Sequence, residues 1–401
     1  VYINNDEGRQ GITVKQDYVI VLAPDSFKES MTAKEVCEAM ERGIKKGNPH
    51  VTCIHVPMAD GGEGTMQSLV DATGGTVHTV MVTGPLGKEV EASYGISGDG
   101  STGVLEMASA SGIHLVPPAQ RNPLVTTTYG TGELIKACLD HGVNRLLIGI
   151  GGSATNDGGA GVVQALGGKL LDTEGKELAF GGGELGRLAS FDLSGLDSRL
   201  HHVEVEVACD VTNPLCGKTG ASHVFGPQKG ATPEIIEQLD RNLRNYAGVI
   251  KQQLGKDIAD YPGAGAAGGL GGGLMVFLNG TLKKGIELVI DYTGLEEKAR
   301  MADMVWTGEG GMDFQTQYGK TPLGVAMVAK KHGKPVIALT GRIGDGIDVL
   351  YDQGMDAIFG IVPGAVTLSE ALDNGRQNVE RTSENIVRLM TSLIRSQSSR
   401  E

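Results

Sequence analysis

Acidic residues recur beside glycines throughout this 401-residue chain: Asp25 in APDSFK, Asp60 and Glu63 in ADGGEG, Asp157 in SATNDGG, Asp210 in ACDVTN, and Glu309 and Asp313 in TGEGGMD. Hard carboxylate oxygens suit Mg²⁺, and glycine amides together with Lys28, Lys229 or Lys320 suit phosphate. Phosphoryl transfer needs that pairing, because its catalysis is mostly positioning and charge neutralisation. Each carboxylate taken singly also fits a helix cap or a turn. Several such clusters at the ends of expected strands are harder to assign to turns alone.

Other chemistries leave weaker traces. Gly149, Gly151 and Ala154 fit the G-x-G-x-x-G/A spacing of a dinucleotide loop, but Asp172, the acid in range, follows GGKLLDTEG, which reads as a turn-bounded hairpin. A second match, Gly263, Gly265 and Gly268, follows the polar IADYPG and lacks its strand. TNPLCGKT approaches a Walker A loop, yet Thr212 stands at its first glycine and GASHVFGPQ does not start a helix. YGKT lacks the earlier glycine as well. H-E-x-x-H, H-x-E with P-C-x-x-C, and G-x-S-x-G are missing, which disfavours zinc catalysis and a nucleophile-elbow hydrolase.

Strands and helices must bring the acids and lysines together. YVIVLA (18–23) reads as a fully buried strand, and Thr32 with Glu35 forms a capping box that opens a helix to about Gly47. VTCIHV is the next strand, and ADGGEGT leads into a helix over 65–72. TVHTVMVT and KEVEASYGI alternate with no helix between them and predict an antiparallel subregion. A helix over 128–141 precedes RLLIGIGGSATNDGGAG, a buried strand running into glycines and a helix whose free N–H groups suit an anion. Residues from about 170 to 280 are irregular, broken by VEVEVACDV and by a helix starting at Thr232 with Pro233 in its first turn. From Asp303 the pattern is regular again: DMVWTG, a helix from Thr321 and Pro322, PVIALTG, a helix, DAIFGIV, and one final helix capped by Thr367 and Glu370.

The expected class is α/β. A mostly parallel three-layer sheet domain is assembled from 18–75 and 290–401, and a glycine-rich α/β domain over 76–289 is inserted in it. Residues 1–17 form an N-terminal arm, RSQSSRE a disordered tail, and ligands bind in the cleft between the domains.

Composition narrows the partners. With 35 Lys and Arg against 48 Asp and Glu, the net charge of −13 opposes binding to nucleic acid or anionic lipid. Aromatics are 4%, so the cores must be aliphatic. Cys37, Cys53, Cys138, Cys209 and Cys216 form no C-x-x-C pair and read as reduced thiols, which favours the cytosol and a cytoplasmic enzyme. No apolar run reaches the ~18 residues of a membrane helix, and the first sixteen residues lack the apolar core of a signal peptide.

The segments APDSFKESMTA, MADGGEGT, GPLGKEVEASYG, EMASASGIHLV, RNPLVTTTYGTGELI, IGIGGSATNDGGAG, ACDVTNPLCGKTGAS, FGPQKGA, PGAGAAGGLGGG and TGEGGMDFQTQYGKTP carry a specific resemblance. From about Tyr18 to the C-terminal helix the chain resembles the type I glycerate kinases, the family that includes the bacterial glycerate 2-kinases. The resemblance implies ATP-dependent phosphorylation of D-glycerate with Mg²⁺, giving 2-phosphoglycerate in most members and 3-phosphoglycerate in some. It also implies a two-domain α/β fold unrelated to P-loop kinases. Partners are then the small molecules D-glycerate and ATP, and a homodimer is compatible with the chain. One departure stands out: Gly311 follows TGEG where a longer, often basic, side chain is expected.

For that reaction, charge and placement assign Lys28, Asp25 and Asp313 to catalysis, with Lys28 as the cation and Asp313 as the proton acceptor. Asp60 with Glu63 or Glu309 is assigned to the metal. Ser26, Gly151, Gly152, Ser153, Asn156, Asp157, Asp210, Asn213, Lys229 and Lys320 are assigned to substrate or phosphate. The glycine-rich loop lets backbone amides approach a nucleotide phosphate or the glycerate carboxylate, and the residues do not choose between them. Nor do they separate the 2-hydroxyl from the 3-hydroxyl. An NAD-linked 2-hydroxyacid dehydrogenase and a non-catalytic sugar-acid sensor are the alternative readings; hydride transfer does not need so many metal-suited acids.

Overall fold

The computed structural model describes residues 2–3, 12–13 and 18–398. Of the arm expected over 1–17, only Tyr2–Ile3 and Ile12–Thr13 are described, paired antiparallel; the rest of it lies outside the described residues. The chain divides into two compact units, between Asp60 and Gly61 and between Leu288 and Val289.

The first unit carries five parallel strands in the spatial order Ala357–Gly360, Val336–Ile343, Met304–Met312, Val19–Leu22, Thr52–His55. Apolar runs make the inner strands, as a sheet covered on both faces requires: Ile20, Val21, Leu22, Val305, Trp306 and Leu339 are fully buried. Helix Ala33–Gly47 opens on the expected capping box, Thr32 Oγ1 accepting from Glu35 N at 3.2 Å and the Glu35 carboxylate from Thr32 N at 2.9 Å. It packs on helix Gly375–Ser398. Gly43 permits that approach, since a Cβ there would stand 2.0 Å from the Glu380 carbonyl oxygen. The Glu380 carboxylate meets Lys46 and, at 3.0 Å, Arg42.

The one final helix expected after Thr367 is two. Leu368–Asp373 begins at a capping box of Thr367 and Glu370. It stops at Asn374, whose Nδ2 donates to the Glu370 carbonyl at 2.8 Å, and the next helix begins at Gly375. Both residues are weak helix formers. That second helix continues through Ser398, so most of the tail expected to be disordered is helical.

The second unit holds six strands in the order Thr281–Lys283, Glu204–Ala208, Arg145–Gly149, Thr102–Glu106, Glu89–Ile96, Thr76–Thr83. The first four are parallel and the last three antiparallel, with the antiparallel pair where the alternating patterns predicted it. Helix Thr65–Thr73 packs on this sheet, and Met66 N donates to the Glu106 carboxylate at 3.0 Å. That contact draws residues 61–75 into the second unit, so the chain crosses earlier than the division at 75/76 read from the pattern. Helices Tyr129–Asp140 and Pro233–Leu254 form as expected. Among the described residues no helix is long and apolar enough to cross a membrane.

Candidate active site

Open α/β sheets bind ligands outside the carboxyl ends of their strands. In the first unit that edge holds a cavity of about 670 Å³. Asp25 to Ser30 reach it after Val19–Leu22, Asp60 after Thr52–His55, Glu309 to Gly311 from the end of Met304–Met312, and Gly341 and Arg342 from Val336–Ile343. Ile361 and Val362 follow Ala357–Gly360, and Lys320, the residue capping helix Thr321–Lys331, closes the polar end.

Asp25 is tightly held there. Its Oδ2 accepts from Thr321 Oγ1 at 2.6 Å and its Oδ1 from Ser26 N at 2.6 Å. Burial, with the Asp60 charge adding, pushes its carboxyl up to about 6, against the pull of the Thr321 hydroxyl, the Ser26 amide and the Lys28 charge. Such a group is ionised at neutral pH and still basic enough to take a proton. Glu309 is nearly buried, and its carboxylate accepts from Thr316 Oγ1 at 2.8 Å and from Lys320 Nζ at 3.4 Å. Burial raises its carboxyl too, with the Asp25 charge adding and the Thr316 and Lys320 contacts opposing.

Asp25, Ser26, Lys28, Asp60, Glu309 and Lys320 therefore share one cavity. Asp313 does not line it. Its carboxylate caps the turn Phe314–Gln317, accepting from Gln315 N at 2.8 Å, whereas Asp25 lines the cavity. Of the expected metal set, Asp60 and Glu309 line the cavity, and among the described residues no group of three or more His, Cys, Asp and Glu is placed to hold a metal ion. Glu309 is engaged by Thr316 and Lys320, and Glu63 belongs to the second unit.

Sequence reasoning missed Thr321 and Arg342. Thr321 reads in sequence only as a helix start, because nothing local reveals its partner Asp25. Arg342 left a trace in the odd Gly311. Strand register pairs Gly311 with Arg342, and a Cβ on Gly311 would meet the Arg342 Cβ at 3.9 Å. Arg342 is thus a basic residue on the neighbouring strand that lines the cavity beside Gly311.

In the second unit the glycine-rich loop is open at one end and packed at the other. Gly151 and Gly152 are exposed, with open space where a Gly151 Cβ would stand. The following helix, Ala160–Ala165, starts only after Gly159, so these glycines do not sit on its N-terminus as expected. Asp157 is fully buried, its carboxylate accepting from Thr128 N at 2.8 Å, Thr128 Oγ1 at 2.9 Å, Gly159 N at 3.1 Å and Gly161 N at 3.4 Å. Lys229 is 1% exposed, and its Nζ donates to Ser153 Oγ and the Thr155 carbonyl, each at 2.7 Å. Burial lowers this amine to about 7, against the attraction of Asp157. Asp157 and Lys229 are accordingly corrected from phosphate contacts to internal braces of the loop.

Asn156 is buried as well, and its Nδ2 donates to Ser222 Oγ at 3.0 Å. Asp210 accepts from Gly285 N at 3.0 Å, and Asn213 Nδ2 donates to the Thr219 carbonyl at 2.8 Å, so both tie loops within this unit. What the loop presents outward is the Gly151 and Gly152 backbone.

A raised carboxyl in one cavity with Lys28, Lys320 and Arg342, at the carboxyl edge of an α/β sheet, fits the class of phosphotransferases. Residues 20–391 match the model of the glycerate kinase family. The chain is 55% identical to the glycerate kinase of Bacillus subtilis over 367 residues, covering 92% of this chain and 96% of that protein. It is 53% identical to the glycerate 2-kinase of Escherichia coli K12, with the same coverage of both. A crystal structure described as glycerate kinase 2 from Salmonella typhimurium LT2 superposes with a TM-score of 0.88 at 52% identity, covering 94% of this chain and 99% of that one. The chain belongs to the glycerate kinase family.

Proposed function

We propose that this protein transfers the γ-phosphoryl group of ATP to the 2-hydroxyl of D-glycerate, giving 2-phospho-D-glycerate and ADP. The observation that carries the reading is Asp25, raised to about 6, in one cavity with Lys28, Lys320 and Arg342. Asp25 accepts the proton of the attacking hydroxyl, and the three cations neutralise charge on the transferring group. The names of the relatives support glycerate as acceptor, and that of the Escherichia coli protein supports the 2-position.

Mg²⁺ fits this cavity. It keeps several waters and needs only one or two carboxylates besides phosphate oxygens, and Asp60 lines the cavity beside Asp25. When bound, the ion supplies charge neutralisation at those oxygens. In the second unit the exposed Gly151 and Gly152 backbone supports binding of an anion, a phosphate or the glycerate carboxylate. All five cysteines are free thiols, which supports a reducing, cytoplasmic setting.

The test is to supply D-glycerate with MgATP or with NAD, following ADP release and reduced nicotinamide. Glycerate-dependent ADP is expected and reduced nicotinamide is not. Folded protein that releases no ADP on addition of glycerate, with Mg²⁺ present, overturns the reading. For the position of transfer, the product is passed to enolase without phosphoglycerate mutase. Phosphoenolpyruvate should form at once; a stall until mutase is added identifies the 3-phosphate.

A further inference from the structure

The cavity of the first unit, about 670 Å³, has both a charged and an apolar lining. Its charged lining includes Lys28, Lys320 and Arg342 with the acids. Its apolar lining includes Val362, Val366, Leu368, Ala371 and Leu372, from the loop after Ala357–Gly360 and the short helix Leu368–Asp373. Two of these are unusually open for their type, Val366 at 46% and Leu368 at 73% exposure. The wall is nonetheless fixed in place. Ser30 Oγ donates to the Leu372 carbonyl at 2.7 Å, Arg381 donates to the Ile361 carbonyl at 3.1 Å, and the Thr367 and Glu370 capping box sets the start of the helix.

Every carbon of glycerate bears oxygen, so the acceptor offers nothing to an apolar wall. This mixed lining matches a ligand with a flat apolar part and a polyanionic part. Of the two substrates in the proposed reaction, only the donor has that form. We infer that the purine base of the nucleotide donor lies against Val366, Leu368 and Leu372, with its phosphate chain directed to Lys28, Lys320 and Arg342. The inference rests on the proposed kinase reading and adds to it the place and orientation of the donor. The γ-phosphoryl group then arrives beside Asp25, and the base is held by contact and exclusion of water.

The experiment compares ligands with and without a base on the intact protein. ADP and pyrophosphate are titrated calorimetrically into wild type, Leu368→Ser and Val366→Ser, and KM is measured for ATP and for D-glycerate. Both variants should raise the Kd of ADP and the KM of ATP by about 10-fold, the scale of lost contacts in an apolar pocket. The Kd of pyrophosphate and the KM of glycerate should stay within about twofold. Val366→Thr, nearly isosteric, repeats the test with the volume kept. ADP unaffected in the variants, or ADP and pyrophosphate weakened together, overturns the assignment. A wild-type protein that makes no glycerate-dependent ADP, while its ADP affinity still depends on Leu368, removes the kinase reading and leaves the base site standing.

Discussion

Replacing Lys229 by Met keeps the length of the side chain and removes its charge and its donor. In the folded chain this amine is buried and lowered to about 7 from an ordinary 10.5, held by Ser153 Oγ and the Thr155 carbonyl. Between those two values the unfolded chain binds a proton that the folded chain does not, so stability rises with pH across that window. The contribution is complete above pH 10.5 and is lost as pH falls to about 7, a total of about 5 kcal/mol at about 1.4 kcal/mol per pH unit. Lys229→Met lacks this slope. It also leaves two buried acceptors without their donor, a pH-independent loss of ~1–3 kcal/mol. Urea unfolding of both proteins, followed by far-UV circular dichroism at pH 7, 8, 9 and 10, isolates the effect because other titrating groups cancel in the difference. Wild type should gain about 4 kcal/mol on the variant from pH 7 to pH 10. A difference that stays flat within ~0.5 kcal/mol refutes the buried neutral lysine and with it the bracing role.

Asp25→Asn should lower turnover by at least ~10²-fold as the proton acceptor is lost. Because burial raises that carboxyl from 3.8 to about 6, its ionisation weakens the fold as pH rises through 6, so in metal-free buffer the variant should melt higher than wild type at pH 7 but not at pH 4. Lys28→Ala should lower kcat by at least ~10²-fold, as when a preorganised electrostatic partner is removed; turnover within about twofold would make it a solvated loop lysine. Gly151→Ala meets no atom and should leave the melting temperature nearly unchanged while raising KM for ATP or glycerate. Gly152→Ala, at φ 71°, should in addition destabilise by about 1 kcal/mol, and wild-type KM values for both variants would show that this backbone holds no ligand.

The capping boxes at Thr32 and Thr367 were legible in the sequence because every atom involved lies within one helical turn. The five strands of the first unit were legible as apolar runs, although only the inner three are mostly buried and Thr52–His55 and Ala357–Gly360 are largely half-buried. So was the grouping of Asp25, Ser26 and Lys28, which lie on one short loop. Tertiary structure alone decided the rest of the site. Asp157 and Lys229 look, beside their glycines, as ready for phosphate as Lys28 does, and only packing against Thr128, Ser153 and Thr155 turned them inward. Strand register put Arg342 beside Gly311, and the start of a distant helix gave Asp25 its partner Thr321. Hydrogen bonds that close over three or four residues are written in neighbouring letters, whereas desolvation and register depend on segments hundreds of residues apart, and those are what separate a cavity-lining acid from a structural carboxylate.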